Sequence, residues 1–81
     1  MREDIKQYHD YVQRIEQGLE HWEEGGLSYV NELTTLHQTI EKLMDLTFKE
    51  KDKKCRSMLA VVEKRARECR EKILRVTGIR N

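Results

Sequence analysis

Three histidines, two cysteines and fifteen carboxylates are the groups in this 81-residue chain whose types could do chemistry. Their spacing decides how much. His9, His21 and His37 stand twelve and sixteen residues apart. Histidines share a metal ion on one helix when they sit three or four residues apart and meet on one face. Glu20, Glu23 and Glu24 surround His21, but no Glu-x-x-His pairing of the di-metal helical type occurs. Cys55 and Cys69 lack a second pair to complete a zinc site. On one straight helix their fourteen-residue separation places them on one stripe, about 21 Å apart and beyond disulfide reach. They read as small apolar side chains in a reducing compartment. Gly25-Gly26 is followed by no Lys-Ser/Thr, so it is not a phosphate loop. The sequence therefore predicts no enzyme, with no catalytic residue, no metal and no cofactor.

The pattern that positions these residues is an apolar seam. It runs through Ile5, Tyr8, Val12, Ile15, Leu19, Trp22, Gly26, Tyr29, Leu33, Leu36, Ile40 and Leu43 in alternating steps of three and four. This is a heptad repeat, and it predicts helix. Glu3 and Asp4 suit the positive N-terminus of a first helix. Gly25-Gly26 is a candidate break, where Ser28 could cap a following helix. The seam keeps its phase across the pair, and two interior glycines cost roughly 2 kcal/mol. The favoured expectation is thus one helix over about 3–48, with 25–26 as the alternative break.

Six charged residues, Lys49 to Lys54, then interrupt the seam. It resumes one residue out of phase at Cys55, Leu59, Val62, Ala66, Cys69, Ile73 and Val76. The slip fits a turn or a stripe that swings to a new partner. A last helix is predicted over about 55–77, with Gly78 as its stop. The expected fold is all-α: two or three long helices with heptad packing, in one helical domain or fragment over 1–81.

The net charge of +1 conceals segregation. Residues 1–48 hold four Lys/Arg against ten Asp/Glu, and residues 49–81 hold twelve against five, so the halves carry −6 and +7. Opposite halves attract, within one chain or between two. Glu63, Glu68 and Glu71 interleave with the bases of the second half, which argues against nucleic acid. No apolar run approaches the roughly 20 residues of a membrane span, and a cytoplasmic chain is expected.

A segment around the glycine pair, Glu24-Gly25-Gly26-Leu27-Ser28-Tyr29-Val30-Asn31-Glu32-Leu33-Thr34, resembles the V-domain helix of ALIX and its Bro-domain relatives. Tyr8-His9-Asp10-Tyr11-Val12-Gln13-Arg14-Ile15 is similar to the same helix upstream, and the likeness spans residues 8–44. The resemblance implies a helix continuous through its glycines. It also implies an adaptor that binds tyrosine-containing late-domain peptides in ESCRT-linked, endosome-associated trafficking. Tyr29 then stands where the family has its pocket phenylalanine, and Leu36 where it has an isoleucine, so these two would form the peptide pocket.

The residues themselves favour a non-enzymatic protein–protein interaction module. Ile5, Tyr8, Val12, Ile15, Leu19, Trp22, Leu33, Ile40 and Leu43 would hold a partner helix, the chain's own second half or another copy. A second half of about 25 residues covers only part of a 44-residue first helix, and the uncovered apolar surface predicts a homo-oligomer. The alternatives are the peptide-binding adaptor and a basic helix over 49–75 lying on an anionic membrane.

Overall fold

The computed structural model describes residues 2–20 and 31–77. They form three helices: α1 (Glu3–Leu19), α2 (Glu32–Lys49) and α3 (Lys53–Thr77). The all-α helical bundle predicted from the sequence is what forms.

Each helix follows from its apolar spacing. α1 buries Ile5, Val12, Ile15 and Leu19, and α2 buries Leu36, Thr39, Ile40 and Leu43. α3 contributes Leu59, Val62, Ala66, Cys69 and Ile73. These steps of three, four and seven place one stripe of each helix toward a shared interior. Thr39 keeps its buried hydroxyl satisfied by donating to the Thr35 carbonyl at 2.8 Å.

A single helix over 3–48 does not form. α1 and α2 run in opposite directions, because Arg2 before α1 meets Glu50 after α2 at 2.6 Å. The Tyr11 hydroxyl likewise donates to Glu32, in the first turn of α2, at 3.2 Å. Along one unbroken helix Arg2 and Glu50 would be about 72 Å apart. The preserved phase is no evidence of continuity, since each helix sets its own stripe and Leu19 and Leu33 are two heptads apart in either case. The glycine pair Gly25-Gly26 lies outside the described residues, as do Trp22, Tyr29 and Gly78.

The charged run does contain a turn. α2 ends at Lys49, Glu50 adopts extended backbone (φ −70°, ψ 126°), and α3 begins at Lys53. Neither glycine nor proline is required, because the extended region is open to every residue. Asp52 caps α3 by accepting the Cys55 N–H at 3.1 Å. This three-residue connection accounts for the one-residue slip of phase, and it starts α3 two residues before the expected position.

α3 then runs antiparallel to α2 and parallel to α1. Arg70 reaches His37 at 3.2 Å, and Arg67 lies against the sulfur of Met44. On its other flank Arg65 grips Glu16, with Nε to Oε2 at 3.1 Å. Twenty-five residues give α3 a length of about 37 Å, close to the 40 Å long axis of the molecule. α3 is therefore the spine, packed on α1 along one flank and on α2 along the other. Twelve buried apolar residues from the three helices form one cluster.

Candidate functional site

The seam residues named for a partner interface are largely committed to this interior. Ile5, Val12, Ile15, Leu19, Ile40 and Leu43 are buried, and Tyr8 and Leu33 are partly buried against them. Their partner is α3, the chain's own second half. The argument for an oligomer from an uncovered seam therefore fails: the reversal between α1 and α2 lets one 25-residue helix cover both. Leu36 is 0% exposed, inside the core. Tyr29, the other residue assigned to a peptide site, lies outside the described residues.

The bundle does leave a groove between α1 and α3. Ile5 and Val62 form its buried floor, and His9, Ser57, Met58, Val61 and Arg65 line it, enclosing about 310 Å³. Val61 is 57% exposed on its rim. Val62 points inward, so the adjacent Val61, about 100° further round the helix, points away from the core stripe. The Val61-Val62 pair was thus a signal in the sequence: Val62 continues the stripe of Leu59, Ala66 and Cys69, and Val61 falls off it. Phe48 is the second such signal. It falls one position beyond the continuation of the seam and is 91% exposed, with Met44 one turn earlier at 46%.

A second cleft, of about 430 Å³, lies further along the same flank between Glu16, Leu19, Glu20, Arg65, Glu68, Cys69 and Lys72. It is polar and its charges are partly paired. Burial pushes the Cys69 thiol up to about 11, assisted by the Glu16 carboxylate. Such a thiol stays protonated at neutral pH and is a poor nucleophile. Cys55 is also held up, first by its contact with Asp52. Both cysteines are free.

The histidines do not converge. His9 sits beside Asp10 on α1, and His37 on α2 pairs with Glu41 at 3.0 Å. His21 lies outside the described residues. Among the described residues no group of three His, Cys, Asp or Glu side chains could hold a metal ion. No helix there is long and apolar enough to cross a membrane.

Charge follows the helices. α3 carries nine Lys/Arg and three Glu, a balance of +6, while α1 carries two Lys/Arg and four Asp/Glu, a balance of −2. The two helices that flank the groove thus differ in net charge, and Glu16 and Arg65 tie them together, although no carboxylate lines the groove itself. Tyr11 marks the other side of α1. Its phenol is pushed up to about 12, mainly by burial and then by Glu32, while Arg14 lies 5.9 Å from its ring centre.

Comparison with known proteins returns no matching family model, curated protein or solved structure. The V-domain resemblance therefore rests on the sequence segments that carry it.

Proposed function

We propose that this chain is a non-enzymatic protein–protein interaction module that associates with a second copy of itself through the α1–α3 groove. The observation that carries this reading is the groove: an apolar floor open to solvent, with Val61 standing exposed on its rim. An exposed aliphatic side chain beside an apolar depression gains from a partner that covers both. Two-fold symmetry supplies one, because each copy then offers the same rim and the same depression. The opposite net charges of α1 and α3 favour a pairing that sets α1 of one copy beside α3 of the other.

Sedimentation equilibrium over a concentration series of reduced protein tests this. The wild-type chain should show a concentration-dependent dimer. Val61→Glu, which buries a carboxylate in that interface, should be monomeric with unchanged helical circular dichroism. Ala60→Glu, one residue away on an exposed position of α3, should still dimerise. A wild-type monomer at every concentration, or a Val61→Glu dimer, refutes the reading.

A further inference from the structure

The end of the bundle where α1 starts and α2 meets α3 concentrates positive charge in a way the sequence balance hides. Within 49–56 stand Lys49, Lys51, Lys53, Lys54 and Arg56. The carboxylates around them are nearly all engaged. Arg2 takes Asp4 at 2.9 Å and Glu50 at 2.6 Å. Asp52 is occupied by the α3 N-terminus, and Asp45 pairs with Lys49 at 3.1 Å. Contact with the Cys55 thiol and N–H, and then the nearby charges of Arg2 and Lys54, hold Asp52 below the usual carboxylate range. Lys51, Lys53 and Arg56 have no ion-pair partner among the described residues, and all three are exposed, as is Lys54. Glu3 is the uncommitted carboxylate at this end. Beside these cations, in the last turn of α2, Phe48 projects 91% exposed.

We propose that this end of the bundle docks on an anionic lipid surface, with Lys51, Lys53, Lys54 and Arg56 facing the headgroups and Phe48 entering the interface. Clustered Lys/Arg beside an exposed aromatic is the chemistry that such a surface recognises. A protein partner would have to bring a socket shaped to the Phe48 ring, whereas the acyl boundary accepts a ring in any orientation. Phe48 lines neither of the two clefts described above and stands 91% exposed. The cations are mostly lysines, whose long flexible stems suit a fluid array of charges better than a fixed bidentate acceptor. The proposal uses neither the groove nor Val61 and stands apart from self-association.

Co-sedimentation of the full chain with phosphatidylcholine vesicles, with and without phosphatidylserine, tests it. Binding is expected to the phosphatidylserine vesicles alone, and it should weaken as salt rises. Each Lys→Gln change at 51, 53 or 54 should weaken it about five-fold, and the triple change about a hundred-fold. Phe48→Ala should weaken it several-fold and leave the salt dependence in place. Val61→Glu should bind vesicles as the wild type does, which separates this outcome from that of self-association. No binding at low salt, full binding by the triple variant, or an unchanged Phe48→Ala overturns the proposal. Equal competition by soluble polyglutamate also overturns it, and would identify an acidic polypeptide as the partner. All four positions are exposed, and helical circular dichroism of each variant shows that the fold is kept.

Discussion

Replacing Leu36 by alanine should unfold this protein more readily, and by a large margin for so small a chain. Leu36 is 0% exposed in α2, inside the cluster that includes Ile40, Leu43 and Ile73. Removing a buried leucine to alanine costs about 2–5 kcal/mol, the transfer of its methyl groups plus the cavity they leave. A chain of this length is stabilised by only about 4–12 kcal/mol in total. A loss of about 3 kcal/mol lowers the melting temperature by about 12–24 °C. The slender bundle offers little surrounding structure to collapse into the void, which favours the upper half of that range. Urea denaturation followed by circular dichroism at 222 nm measures it, with Phe48→Ala as the control. Phe48 is 91% exposed, and its truncation should change stability by no more than about 0.5 kcal/mol. If Leu36→Ala costs less than about 1 kcal/mol while Phe48→Ala costs more, the burial described for α2 is wrong. Leu36 would then be free to line a binding surface.

Four further outcomes are expected. Asp52→Ala should lower the urea midpoint at neutral pH by uncapping α3. Because contact with Cys55 lowers the Asp52 pKa in the folded state, its stabilisation holds above the ordinary carboxylate pKa and is lost as pH falls through the lower folded value. A double-mutant cycle between Glu16→Gln and Arg65→Gln should give a coupling of about 1 kcal/mol, reduced by salt, and zero coupling would remove the pair as an α1–α3 tie. Tyr11 should titrate near 12 in the folded chain. Since the raised value favours the neutral phenol, its contribution to stability is complete below the unfolded pKa and falls away between about 10 and 12, read by absorbance at 295 nm. Cys55 should react with a disulfide reagent well before Cys69, which is 4% exposed and held near 11. Equal rates in folded protein would contradict the burial of Cys69.

The fold class was legible because apolar period is a local property. The positions of Val12, Ile40, Leu59 and Ile73 in their stripes need only the geometry of a single helix. Chain direction was not legible. The step from Leu19 to Leu33 is two heptads, and that number is the same for a continuous helix and for two helices that reverse. Direction is fixed by tertiary contacts such as Arg2 with Glu50 and Tyr11 with Glu32. Sequence spacing does not contain them. The groove was half legible: Val61 is visibly off-stripe, but which helix forms the second wall depends on the parallel placement of α1. The charge segregation was evident in composition. Its resolution into paired carboxylates and unpaired lysines at one end was not, since pairing depends on which termini meet.

The asymmetry of the bundle sets an order of assembly. α2 and α3 are joined by three residues and pack antiparallel, with Arg70 against His37 and Arg67 against Met44. α1 is joined at a longer sequence distance and packs chiefly on the flank of α3. Chain closure entropy favours the hairpin first. α1 is then the segment that detaches at least cost, and its amides should exchange with deuterium before those in the middle of α3. Any partner that holds α1 against α3 would slow that opening. Occupancy of the groove could then be read as lengthened protection of one helix, without the partner's identity being known.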